Sequence, residues 1–246
     1  MLHKFLIILI FTLVSCQKVD LQTNKKFHQA VKLYDEENYQ KASQIFREIS
    51  LESPSSDAFF NLGNSYFRLD KRGHAMAAYL AASNLSPRDP DIIANMNYLK
   101  NNITDNLDVS SQSVFESIFF FWRSFITPLE LAYVSAFLWA LGFLFLTLYL
   151  WKKNFHQLLS LSFCLIFCSV FTFFASYTSQ TYDKRWGAVT ANISKIKSGP
   201  GEHNTLVFEL HEGAPFLLEV EEGEWYKIQL SDGKKGWVEK SSVLVF

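Results

Sequence analysis

The stretch LYLWKKNFHQLLSL, residues 148–161, sets a short polar knot between two long apolar runs. Residues 131–150 carry no charged side chain, and neither do residues 158–177. At a helical rise of about 1.5 Å per residue, each run reaches ~30 Å, one crossing of a bilayer's hydrocarbon core. So short a connection forces the runs back on each other as an antiparallel hairpin, with helices expected at 129–151 and 158–179 and a loop at 152–157. Whatever precedes the hairpin and whatever follows it must then lie on one side of the membrane. Lys152 and Lys153 favour a cytoplasmic loop, but Arg123, Lys184 and Arg185 at the outer ends nearly balance them. Neither uncharged run contains a charged residue or a histidine, and His156 sits only at an edge, which argues against an ion or proton pathway. Cys164 and Cys168, four apart and so on one helical face, read as small residues packed against a neighbouring helix.

Outside the hairpin the composition changes. The chain has 246 residues, 49% hydrophobic with 24 Phe, yet its charges crowd into two blocks at about 18–108 and 183–240. That is the pattern of soluble modules attached to membrane segments. A net charge of −1, with no basic stripe interleaved with aromatics, gives no reason to expect a nucleic-acid partner. Neither charged block contains cysteine, so no disulfide framework is expected. No catalytic residues, cofactor or metal are expected: the chain lacks a His-x-x-x-His helix, a Cys-x-x-Cys pair, a phosphate-cradling glycine loop and a Gly-x-Ser-x-Gly elbow. His203 and His211, near Glu202, Glu209 and Glu212, read as exposed turn and strand residues.

The start, MLHKFLIILIFTLVSCQ, has a basic tip and an apolar run of ten residues from Phe5 to Val14, too short to span. It reads as an export signal over residues 1–16. Leu13-Val14-Ser15-Cys16 resembles a bacterial lipobox, which implies lipidation at Cys16, while the small Ser15 also suits conventional cleavage. Export of the first block breaks the tie in the charge count. The loop is then cytoplasmic, and both soluble blocks are periplasmic at a bacterial inner membrane.

Residues 24–107 carry an internal repeat: Ala42, Phe46, Ile49 and Pro54 recur as Ala75, Tyr79, Ala82 and Pro87, a shift of 33 each time. A helical period near 34 is the signature of paired-helix arrays. Leu62, Gly63, Tyr66, Ala75, Tyr79, Ala82 and Pro87 resemble the tetratricopeptide motif, and a third copy stops after one helix at PRDPDIIANMNYLK. The resemblance implies a binding scaffold whose first helices line a concave face. Phe60, Asn64, Phe67 and Arg68 of the second repeat, with Ile93, Asn97 and Lys100 of the last helix, are its candidate peptide- or protein-binding residues. Asn64 and Asn97, 33 apart, should stack, either as clamps on an extended peptide or as a solvated polar face; the first copy has Val31 there.

A polar linker at 108–113 leads into VFESIFFFWRSFITPLE, whose aromatics, Trp122 and Arg123 fit an interfacial helix at 114–128 or a long lead into the first span. After the hairpin the period switches to two, and SGPGEHN, HEGAP, EEGE and SDGKKG mark turns. Five or six short strands over 186–246 predict a small barrel, with Asp232-Gly233 as a tight hairpin. Lys197-Ser198-Gly199-Pro200, Leu210-His211-Glu212-Gly213, Trp225, Asp232-Gly233 and Gly236-Trp237-Val238 resemble a bacterial SH3-type domain. That family implies extracytoplasmic binding, in some relatives of cell-wall peptides. Trp237 reads as core, and neighbouring Trp225 and Tyr226 point to opposite faces, so one of them is on the barrel surface.

The predicted architecture is thus a multidomain membrane protein: all-α tetratricopeptide repeats, a two-helix transmembrane hairpin and an all-β SH3-like barrel. The order of these parts, with FFFWRSFITPLELAYVSAFLWALGFLFL, resembles the BatE family of the bacterial aerotolerance operon. The resemblance implies Bat proteins with von Willebrand factor A domains and a MoxR-associated system as partners, and a role in oxygen tolerance or envelope stress. A membrane-anchored periplasmic scaffold in contact with membrane lipid is the leading expectation. Binding or sensing of peptidoglycan peptides by the barrel is the alternative.

Overall fold

The structure is a computed structural model and describes residues 22–103, 105, 128–151, 156–181 and 185–246. The expectations for the export segment with Cys16, the linker, residues 114–127 of the interfacial helix and loop positions 152–155 lie outside the described residues.

Five helices form the first block: α1 over 22–35, α2 Tyr39–Glu52, α3 Ser56–Arg68, α4 Arg72–Leu85 and α5 Pro90–Lys100. The bounds of α4 repeat those of α2 with a shift of 33, and so do the two left-handed turn residues, Glu37 and Asp70 (φ 60° and 56°). Local chemistry sets the starts. Asn38, Ser55 and Asp89 accept backbone N–H bonds at the heads of α2, α3 and α5, and Pro90 opens α5 where its missing N–H costs nothing. The repeated positions Ala42, Phe46, Ile49, Ala75, Tyr79 and Ala82 are all buried in the helical core.

The barrel has seven antiparallel strands, one or two more than the turn signals suggested: β1 Trp186–Val189, β2 Ile193–Lys197, β3 Leu206–His211, β4 Pro215–Glu222, β5 Trp225–Gln229, β6 Lys235–Glu239 and β7 Val243–Val245. Their order is β3-β2-β6-β5-β4-β1-β7. The first and last strands are the short ones; they pair with each other and have no tight turn between them to announce them. Gly233 takes φ +85° in the β5–β6 turn, as Asp-Gly requires. Val189, Ile196, Leu210, Phe216, Ile228 and Val238 fill the interior.

The helical block and the barrel belong to one compact unit, although 139 positions separate residues that hydrogen-bond across the junction. Ala188 of β1 is buried in the helical core, with Trp186, Leu244 and Phe246 packed against it. Phe246 meets Phe59 of α3 edge-on, ring centroids 5.1 Å apart. Gly73, near the head of α4, lies so close to β1 that a Cβ there would fall on the Val189 carbonyl oxygen and within 2.9 Å of Thr190 Cα. Lys71 provides no side-chain cap for α4; instead Glu212 of the barrel accepts the Gly73 N–H at 2.9 Å. A carboxylate at a helix head is favoured by the unpaired N–H groups there.

The second unit contains α6 Pro128–Trp151 and α7 His156–Thr181, antiparallel and each long and apolar enough to cross a membrane. Their seam is made of serine. Ser162, Ser169 and Ser176 recur every seven residues on α7 and are buried, as is Ser135 on α6. Ser135 and Ser169 each donate a hydroxyl to the other's carbonyl oxygen at 3.0 Å, and Ser162 donates to the Gly142 carbonyl at 2.9 Å. Any side chain at Gly142 would meet Ile166, so small residues set the approach. Cys164 and Cys168 are exposed, contrary to the reading that they face a neighbouring helix within the hairpin. Both residue types are small, but a serine hydroxyl on the seam is satisfied by a facing carbonyl.

Candidate functional site

A groove of about 360 Å³ opens between α1, α3 and α5, lined by Tyr34, Asn64, Phe67, Arg68, Tyr79, Asn95 and Tyr98. Its floor is a hydrogen-bonded triad. The Tyr79 hydroxyl donates to Asn64 Oδ1 at 2.7 Å, and Asn95 Nδ2 donates to Asn64 Oδ1 at 3.0 Å and to the Tyr79 oxygen at 3.3 Å. Burial holds the Tyr79 phenol far above its ordinary value, so it stays protonated and remains a donor. This fixes the amide orientations. With its oxygen occupied twice, Asn64 is left with its N–H₂ group, and Asn95 with its carbonyl oxygen; among the described residues neither has a partner. One free amide donor beside one free amide acceptor is the complement of a peptide group.

At one end the Arg68 guanidinium donates to the Tyr39 hydroxyl at 2.5 Å and lies 4.9 Å from that ring's centroid. At the side, Phe67 and Tyr98 meet edge-on at 5.7 Å, both partly exposed. Phe60, expected on the groove, packs tilted against the Tyr79 ring at 5.9 Å beneath it.

The structure brings Asn64, Phe67 and Arg68 together as the repeat pattern implied. It does not bring Asn97 to them. Asn97 and Ile93 are exposed away from the groove, and Lys100 lines a separate cleft beside Trp186 and Pro215. Asn95 and Tyr98 take their places. The cause is phase: α5 begins 34 residues after α3, at Pro90 against Ser56. One residue rotates a helix by about 100°, which carries Asn97 off the face. Asn95 and Tyr98, three apart, share the face instead.

On the barrel, Tyr226 is the core-side member of its pair, packed against the interior cluster. Trp225 is on the other face with Lys197 Nζ 5.0 Å from its ring centroid. Lys197 is nearly buried, and its ammonium donates to the Glu202 backbone oxygen at 3.0 Å and to Oε2 at 2.5 Å. That hydrogen bond holds the Glu202 carboxyl below the usual carboxylate range. Trp237 is half-buried rather than core; its strand neighbours Gly236 and Val238 face inward, and it pairs with Lys197 and Lys227. Trp225 and Trp237 therefore share an aromatic, lysine-bearing outer face. His211 is not a free turn residue: its Nδ1 lies 2.7 Å from Asp105 Oδ1, and its backbone N–H donates to Oδ2 at 2.7 Å. Among the described residues no group of three His, Cys, Asp or Glu side chains is placed to hold a metal.

Residues 191–244 match the family model described as the bacterial SH3 domain, in keeping with the seven-stranded sheet. A stretch of 78 residues, 31% of this chain, is 33% identical to the Bacillus subtilis (strain 168) protein named "Putative N-acetylmuramoyl-L-alanine amidase YrvJ". The match spans 15% of that protein's length.

Proposed function

We propose that the chain is a membrane-anchored scaffold of the bacterial envelope, in which a tetratricopeptide-type array grips an extended segment of a partner protein and the SH3 domain forms a second binding surface. The observation that carries this reading is the free donor–acceptor pair of Asn64 and Asn95, held by Tyr79 between Arg68 and the Phe67–Tyr98 aromatics. An extended peptide laid there exchanges water for one amide–amide pair and two aromatic contacts.

The hairpin α6–α7 is the proposed anchor. The two soluble blocks share a core, so they must lie on the same side of any membrane the hairpin crosses. The export signal of residues 1–16 supports the periplasmic side, and lipidation at Cys16 would add a second tether. The partners in this reading are membrane or periplasmic proteins. The Bat proteins with von Willebrand factor A domains and their MoxR-associated system follow from the order of segments alone. Tethering to the bilayer raises the effective concentration toward such partners. The role is binding rather than catalysis.

The likeness to an amidase named for a cell-wall bond supports a second reading, in which the Trp225–Trp237 face takes a peptidoglycan stem peptide. Co-sedimentation of the detergent-solubilised chain with purified sacculi separates the two. The scaffold reading expects no retention beyond that of a Trp225→Ala variant. Retention lost on that substitution, with no protein captured at the groove, would put the cell-wall reading in its place.

A further inference from the structure

A second cavity, of about 310 Å³, shares no residue with the groove. Gln40, Gln44 and Arg47 of α2 line one side, Tyr66 of α3 the floor, and Lys71 and His74 at the start of α4 the other side. Among the described residues, neither Arg47 nor Lys71 has a carboxylate within ion-pair reach. His74 Nδ1 is fully buried with no hydrogen-bond partner, its ring tilted against Tyr66 at 5.2 Å. Burial, then the charge of Lys71, hold the His74 imidazole below its ordinary value; Glu212 pulls the other way and Arg47 adds to the lowering. Glu212 is itself engaged by the Gly73 N–H. Two exposed cations without an ion-pair partner, beside an imidazole, line one hollow and complement an anion.

We propose that Arg47, Lys71 and His74 form a binding site for a phosphoryl oxyanion. A guanidinium, an ammonium, an imidazole, two amides and a phenol, carried by three successive helices, line the hollow, and so many donors suit a tetrahedral group with three free oxygens better than a planar carboxylate. The volume exceeds that of a bare phosphate and leaves room for the group it esterifies. The source is either soluble phosphate or the headgroup of an anionic lipid, and the site is independent of what the groove binds.

The test is thermal unfolding of the full chain in detergent. Sulfate serves as the first probe, because its charge is constant over the pH range, against chloride at matched ionic strength. The wild type is stabilised saturably by sulfate, and affinity falls roughly tenfold in Arg47→Gln and in Lys71→Gln, both exposed positions that tolerate substitution. Binding tightens as pH falls below 6.5 and His74 takes up a proton, and His74→Gln abolishes that tightening. Inorganic phosphate reproducing the shift in neutral micelles marks a soluble ligand. A shift produced only by phosphatidylglycerol micelles, and removed by the same substitutions, marks a headgroup. Equal responses of wild type and both lysine and arginine variants, or no response to any of the three anions, overturns the site.

Discussion

Replacing Gly73 by alanine should reverse the usual sign of such a change. In an ordinary helix the substitution stabilises by up to ~1 kcal/mol, because glycine gives up more backbone freedom on folding. Here the added Cβ falls on the Val189 carbonyl and reaches Thr190 Cα at 2.9 Å. The obstruction is backbone, so no side-chain rotation relieves it. Overpacking of this kind costs about 1–3 kcal/mol. Pushing β1 off α4 also loosens the bond from Gly73 N–H to Glu212, and a hydrogen bond to a charged group contributes about 1.5–3 kcal/mol. Net destabilisation is then about 2–4 kcal/mol, which lowers the Tm of a unit this size by roughly 5–15 °C. The assay is thermal unfolding of the full chain in detergent, with hydrogen exchange reading α4 and β1 separately. Both should lose protection together. The Gly73→Ala and Glu212→Ala effects should sum to more than the double variant shows, since both break one junction. A raised Tm, or α4 protected while β1 is not, would refute the claim that helices and barrel share a core.

Other consequences are open to measurement. Glu212→Ala alone should destabilise by about 1–3 kcal/mol in chemical denaturation, with Glu212→Gln retaining part of the loss because an amide oxygen still accepts the Gly73 N–H. Ser169→Ala in the hairpin removes one of two reciprocal serine bonds and should cost about 0.6 kcal/mol, at most ~1.7, in steric-trap unfolding of the two helices. The hydrogen bond and charge of Lys235 hold the Glu219 carboxyl below its ordinary value of 4.5. The stability it contributes is therefore fully present above pH 4.5 and lost as pH falls through the lower folded value, so Lys235→Met should move acid unfolding of the barrel to higher pH.

Much of this was legible in the chain. The 33-residue recurrence of Ala42, Phe46 and Ile49 marked the helix pairs because each position must be buried in the same way twice. Asp232-Gly233 marked a hairpin because few residues tolerate its left-handed backbone. The rest depended on geometry that no local pattern encodes. The groove's second asparagine was misplaced because the repeat slips by one residue at α5, and a one-residue slip turns a helix to a different face. The hydrogen-bond partner of Gly73 lies 139 residues away, and the glycine's neighbour is a carbonyl whose position only the docked sheet defines. On α7, cysteines and serines form two small-residue stripes, and only the facing carbonyls of α6 decide which is the seam.

The peptide groove is tested most directly by in-cell photo-crosslinking from the intact chain. A photo-reactive phenylalanine replaces Phe67 inside the groove or Asn97 outside it. The account predicts a discrete protein adduct from position 67, lost when Asn64 and Asn95 are both changed to alanine, and none from position 97. Adducts of equal yield from both positions, indifferent to those two asparagines, or no protein adduct at all from position 67, would contradict it.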